Sequence, residues 1–235
     1  MDKRIYFDHA ATTPVDPRVL EKMLPYFTQK FGNPNSQHAF GRETVCAVDD
    51  ARDEIAACIG AKSSEIYFTS GGTEADNWAL RGAAYSFANR GRHLIVSAVE
   101  HPAMIATAKE LAKKGFEVTF AEVDEYGAVD LEKLEKAIRS DTVFVGVMTA
   151  NNEVGTIQPV KEIAALCKAK GIVFFTDAVQ AAGAIQLNVK EIGADMLSFS
   201  AHKFYGPKGI GVLYIRSGLK IEKLVSGGHQ ERSMR

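Results

Sequence analysis

The chain is 235 residues long, 46% hydrophobic and 24% charged; at about 150 residues per domain it has room for one to two domains and a real hydrophobic core. A net charge of −1, from 28 Lys and Arg against 29 Asp and Glu, gives no basic footprint for nucleic acid, no apolar run approaches the roughly 18 residues of a membrane span, and Met1-Asp2-Lys3-Arg4 opens without an apolar signal core. The three cysteines, Cys46, Cys58 and Cys167, are odd in number and form no CxxC pair, which points to a reducing, cytoplasmic setting and against a disulfide framework or a metal site.

The segment before Pro17 is rich in small and polar residues and reads as packing apart from the sheet. It is taken as an N-terminal segment, 1–16, ahead of one unit over 17–235. Helical patterns are expected over 17–30, with Asp16 as N-cap, and over 42–59, closed by Gly60. A strand comes next at 65–69, then a glycine pair and a helix. Further strands are read at 93–97, 117–120 and 142–147, with a helix capped by Asp130 running to 138. A helix over 160–170, closed by Gly171, precedes strands at 172–176, 196–199 and 211–215. Several strands are apolar on consecutive residues, as expected when both faces are covered. Alternating strands and helices predict an α/β fold, a mostly parallel seven-stranded sheet with helices on both faces. The 211–215 strand comes too soon after its predecessor for a helical crossover, so an antiparallel placement is expected.

In such sheets ligands bind outside the carboxyl ends of the strands. After Thr69 comes Ser70-Gly71-Gly72-Thr73. Free N–H groups at a helix start with a hydroxyl beside them make an anion cradle, although the same residues also make a plain N-cap. After Val96 come Glu100, His101 and Pro102; the His is a candidate acid/base or ring-stacking group, or only a helix-start residue. After Val147 come Asn151, Asn152 and Glu153, which suit polar ligand contacts and equally a turn. Asp177 closes a buried strand, where a carboxylate is costly without a partner. Ser200-Ala201-His202-Lys203 comes after another strand, and by itself Lys203 reads as a solvated lysine. Taken together, these are the parts needed to hold pyridoxal phosphate: an amine for a Schiff base, a carboxylate for the ring nitrogen and a cradle for the phosphate.

At this point the chain resembles a known family. The stretches Tyr6-Phe7-Asp8-His9-Ala10-Ala11-Thr12-Thr13-Pro14, Gly32-Asn33-Pro34-Asn35-Ser36-Gln37-His38, Thr69-Ser70-Gly71-Gly72-Thr73-Glu74, Glu100-His101, Asn151-Asn152-Glu153-Val154-Gly155-Thr156, Thr176-Asp177-Ala178-Val179-Gln180, Ser200-Ala201-His202-Lys203 and Gly227-Gly228-His229-Gln230-Glu231 are similar to those of cysteine desulfurases. These are the iron–sulfur-cluster and nitrogen-fixation type, within the class V aminotransferases of fold-type I. The resemblance implies that Lys203 carries pyridoxal phosphate and moves the proton, with His101 stacked on the ring and assisting. It implies that Asp177 holds the ring nitrogen and Gln180 the phenolic oxygen. Gly72, Thr73, Ser200 and His202 then bind the phosphate, and Asn152 lies beside cofactor and substrate. The implied reaction converts L-cysteine to L-alanine and passes persulfide sulfur to an iron–sulfur scaffold or sulfur-carrier protein, from a homodimer.

The resemblance also implies departures. The family's small C-terminal domain, with its persulfide-forming cysteine, its carboxylate-binding arginine and a Ser-Gly-Thr stretch, lies past Arg235. A truncated product, a fragment of a longer sequence and half of a split enzyme all stay open, and each predicts uncovered apolar surface. Cys46, Cys58 and Cys167 are expected to be inert helix or core residues, as Trp78 is expected in the core. His9 and His38 match family stretches and receive no role. Selenocysteine lyase, another class V aminotransferase and a catalytically dead cofactor-binding module are the alternatives.

Overall fold

The computed structural model describes residues 4–235, so Met1-Asp2-Lys3, where a signal core was sought, lies outside the described residues. The elements run α1 (Pro17–Thr28), α2 (Ala39–Ile59), β1 (Ile66–Thr69), α3 (Gly72–Ser86), β2 (His93–Ser97), α4 (Pro102–Ala112), β3 (Glu117–Ala121), α5 (Leu131–Ala137), β4 (Thr142–Gly146), α6 (Val160–Lys170), β5 (Val173–Asp177), α7 (Val189–Ile192), β6 (Met196–Ser200) and β7 (Gly211–Ile215). The local signals act as expected. The Asp16 carboxylate accepts the Arg18 N–H at 2.8 Å and starts α1. Gly60 (φ 70°) and Gly171 (φ 68°) close α2 and α6 in the left-handed region.

The seven strands form one sheet in the order β1-β7-β6-β5-β4-β2-β3. β2 through β6 pair in parallel, while β7 is antiparallel to both β6 and β1. The two reversals cancel, so the carboxyl end of β1 opens on the same edge as those of β4, β5 and β6. That edge gathers Thr69, Asp177 and Ser200. The register sets Asp177 opposite Ser198, and Gly211 opposite both Thr69 and Ser200.

Neighbouring residues along each strand feed opposite cores. Leu94, Val96, Phe144 and Phe175 pack with Trp78, Met104 and Leu111 of α3 and α4. Ile95, Val145 and Phe174 pack with Ile59, Leu134, Ile163 and Cys167 on the other face. Strands buried on both faces are why the sequence runs are apolar without alternation. Each fully buried large side chain contributes roughly 1.5–3 kcal/mol.

Two expectations are corrected. Cys46 and Cys58 are exposed, and only Cys167 is buried. The inward stripe of α2 is Gly41, Thr44, Arg52, Ala56 and Ile59, and Cys58, two residues beyond Ala56, faces away from it. The N-terminal segment does not pack apart. Thr13 donates from N–H (2.8 Å) and Oγ1 (3.0 Å) to the His202 carbonyl, and the Asp16 N–H donates to the Tyr205 carbonyl at 2.9 Å. Small residues at 10–13 let this strap lie against the loop after β6. The expected uncovered apolar surface is present: α1 has no buried residue, Leu20, Leu24 and Phe27 are exposed, and so are Phe31 and Phe40, whose rings stack at 5.9 Å. The chain end turns back on β1: Glu231 takes Arg52 at 2.8 and 3.0 Å and the Phe68 N–H at 2.9 Å.

Candidate active site

The edge at the carboxyl ends of the strands encloses a cavity of about 430 Å³, within the usual range of small-molecule sites. Gly72, Thr73, His101, Asn152, Asp177, Gln180, Ser200, His202 and Lys203 all line it, together with Asp8, Asp76 and Glu153 among others. One wall is the start of α3. Gly71 is its N-cap and offers no side chain, so no capping oxygen takes the first N–H groups. The backbone requires glycine there, with φ 155° at Gly71, and packing crowds the positions around it. A Cβ on Gly72 would come within 2.8 Å of Val179 Cγ2, and one on Gly211 within 2.6 Å of Gly71 Cα. A 15-residue helix thus presents bare N–H groups and its positive dipole end beside the hydroxyls of Thr73 and Ser200, which is an anion site by construction.

Asp177, at the end of β5 and 4% exposed, also lines the cavity. Its Oδ1 accepts the Val179 N–H at 2.8 Å. Burial pushes its pKa up, while that hydrogen bond, His101 and Lys203 act to keep it charged. Lys203 ends a short 3-10 turn after β6. Its Nζ donates to the Ala10 carbonyl and, at 3.0 Å, to that of Ala11. Burial lowers the Lys203 pKa, against the pull of Asp177 and Asp8. That is the direction that makes an amine a nucleophile. His101 caps α4, and its Nδ1 accepts the Ala103 N–H at 3.1 Å. The ring proton therefore sits on Nε2. His202 bonds Thr12 Oγ1 through Nδ1 at 3.1 Å; burial, then Lys203 and Lys208, lower its pKa.

Gln180 Nε2 donates to the Ala10 carbonyl at 3.0 Å, so the strap gathers Gln180 and Lys203 on one carbonyl. The adjacent amides divide the two readings made for them. Asn151 is the turn: its Oδ1 accepts the Glu153 and Val154 N–H groups at 2.9 Å, and its Nδ2 donates to the Val99 carbonyl. Asn152 lines the cavity with Nδ2 on Glu153 Oε1.

Sequence reasoning gave no role to two groups, Glu100, which it named, and Asp76, which it did not. Asp76, 1% exposed, lies on the buried face of α3 and accepts from Ser198 Oγ at 2.7 Å. Glu100, 7% exposed, sits behind His101. A signal existed for Asp76, since it falls among the small and apolar residues Ala75, Trp78, Ala79 and Leu80. A larger cleft of about 1110 Å³ opens at the other end of the strands, but Lys62, Arg90, Lys168, Lys190 and Arg216 give it ordinary surface cations and no convergent chemistry.

The residues fit pyridoxal phosphate on their own terms. A nucleophilic amine, a buried carboxylate and an uncapped helix start converge on one cavity. The sequence profile described as aminotransferase class-V matches residues 5–234. Proteins named cysteine desulfurase IscS from Clostridium botulinum (strain Kyoto / Type A2) and Dictyoglomus turgidum are 53% and 52% identical over all 235 residues. The chain spans about 59% and 60% of their lengths. A solved structure titled as a NifS-like protein superposes with a TM-score of 0.97 at 47% identity, covering 99% of this chain and 64% of that one. One titled SspA in complex with cysteine gives 0.96 at 39% identity, covering 99% and 67%.

Proposed function

The chain belongs to the class-V aminotransferase family, whose cofactor is pyridoxal phosphate, and from that premise we propose that Lys203 anchors the cofactor for conversion of L-cysteine to L-alanine. The observation that carries the reading is the convergence of Lys203, Asp177 and the bare start of α3 on one cavity. The cysteine-bound relative and the relatives named cysteine desulfurase support the substrate.

When bound, pyridoxal phosphate supplies an electron sink for the substrate's carbon framework. The α3 N–H groups, Gly72, Thr73, Ser200 and His202 would take its phosphate, Asp177 its ring nitrogen and Gln180 its phenolic oxygen. His101 would lie on the ring, held by the Ala103 N–H with its Nε2 proton toward the cavity. Lys203 Nζ would leave the Ala10 and Ala11 carbonyls to join the cofactor, then hold and return a proton. Asn152 would orient the substrate beside it.

In the net reaction L-cysteine loses its sulfur atom to a thiol, which becomes a persulfide, and the carbon skeleton leaves as L-alanine. None of the three cysteines lines the cavity. Burial pushes the Cys167 thiol up to about 12, too high for a ready thiolate. The accepting thiol therefore comes from outside this cavity's lining. The proposal extends to a scaffold or carrier protein as sulfur acceptor and to a cytoplasmic homodimer. Exposed Leu24, Phe27, Phe31 and Phe40 support a covering protein surface there. No helix among the described residues is long and apolar enough to cross a membrane.

The test is to add pyridoxal phosphate to the chain and to Lys203→Ala, record visible absorption before and after borohydride, then supply L-cysteine with dithiothreitol and assay alanine and sulfide. A Lys203-dependent band and alanine with equimolar sulfide are expected. Alanine production equal in Lys203→Ala would overturn the assignment.

A further inference from the structure

We propose that Glu100 is a positioning residue acting as an uncharged acid: it straps the His101 turn to the end of β4 and leaves Asp177 as the anion that meets the cofactor. The inference rests on the assignment of Asp177 to the cofactor's ring nitrogen. Glu100 lies between Ser97, which ends β2, and His101, which caps α4. Its Oε1 accepts Ser97 Oγ at 2.6 Å and the Met148 N–H at 2.5 Å. A second tie, from Asn151 Nδ2 to the Val99 carbonyl at 3.0 Å, joins the same two turns. Those turns carry His101 and Asn152 into the cavity.

The other oxygen, Oε2, is buried and has no hydrogen-bond partner among the described residues. A bare buried oxygen is expensive on a carboxylate and much less so on a neutral acid. The two donors on Oε1 mark it as the carbonyl-type oxygen, which leaves the proton on Oε2. The charged groups that bear on Glu100 give the same answer. Asp177 from β5 and Asp76 from α3 are both acidic, and among the described residues no cation pairs with Glu100. The cation here, Lys203, acts on Asp177 instead. Three buried carboxyls cannot all ionise so close together, and Asp177 is the one with a cationic neighbour and a backbone N–H on its carboxylate. Burial, with Asp177 adding to it, pushes Glu100 up to about 8.

The deciding experiment compares wild type, Glu100→Gln and Glu100→Ala from pH 6 to pH 9.5. Without cofactor, thermal melts should show wild type losing stability relative to Glu100→Gln as pH rises to about 8 and running parallel to it above, because the unfolded acid has already ionised while the folded one still holds its proton. A Gln variant that parallels wild type at every pH would overturn the proposal. With pyridoxal phosphate, Glu100→Gln should match wild type in affinity and visible band at pH 7 and lack the inflection near pH 8. Glu100→Ala, without the strap, should bind about tenfold more weakly or worse. A tenfold loss in Glu100→Gln at pH 7 would show that the charge is needed and sink the idea. If Glu100→Gln does not fold, infrared spectra of wild type decide. A protonated-carboxyl stretch at pH 7 that disappears near pH 8 supports the proposal, and no such stretch contradicts it. The melts and infrared spectra need no cofactor, so a failed cofactor assignment would show separately.

Discussion

The two ends of the sheet carry the same acidic residue types in opposite electrostatic states. At the amino end Arg139 pairs with Glu117 and, at 2.8 Å, with Asp141, and holds both carboxyls below their usual range. At the carboxyl end burial raises Asp76, Glu100 and Asp177. The amino end has the larger cleft, about 1110 Å³ against 430 Å³. Volume therefore does not locate the chemistry. Displaced charge on groups that converge does.

The sharpest break in this contrast is at Lys203. Lys203→Ala should abolish borohydride-trapped cofactor and lower cysteine turnover by at least about 10²–10⁴, the range for losing a positioned proton-transfer group, with melting little changed. Trp78→Ala acts through a core side chain that is fully buried and donates from Nε1 to the Glu222 carbonyl at 3.0 Å. Denaturant titration should show a loss of about 3–5 kcal/mol, regardless of which end of the sheet is probed. Asp177→Asn should weaken cofactor binding by about 10- to 150-fold, the value of a hydrogen bond to a charged group. It should also lower the pH at which Glu100 ionises, because one neighbouring negative charge is gone; the alkaline inflection of the visible band would report that shift.

The smallest effect belongs to the exposed amino end. Arg139→Ala should leave cofactor binding unchanged and the neutral-pH melting temperature nearly so. Its signature is at low pH. Glu117 and Asp141 have folded pKa values below their unfolded ones, so their contribution is present above the unfolded values and lost as pH falls through the folded ones. The variant should therefore lose less stability than wild type between pH 5 and pH 2. An equal slope would mean that these pairs contribute nothing.

Most of the frame was legible because local chemistry fixes it. Asp16, Gly60 and Gly171 mark helix ends through their own hydrogen bonds and backbone angles, and the short link before Gly211 forces the reversal of β7. Strand order was not legible, since no residue names its neighbour across a crossover. The nine candidate residues came from their positions after strands and from resemblance, and all nine line one cavity. Glu100 and Asp76 received no role because their significance comes from burial beside Asp177, a property of packing rather than of spacing. Cys58 was misjudged because facing is set by the turn of the helix, and its immediate neighbour Ile59 is buried while it is not. The 10–13 strap was misjudged because its partners, the His202 carbonyl and the Lys203 amine among them, belong to a loop about 190 residues away.

The most direct test of the central claim is peptide mapping by mass spectrometry after pyridoxal phosphate and borohydride. The cofactor adduct should fall on Lys203 and stay off Lys62, Lys168 and Lys190 at the amino-end cleft and off Lys208 nearby. An adduct spread over those lysines, or concentrated on one of them with Lys203 unmodified, would contradict the assignment of the carboxyl-end cavity.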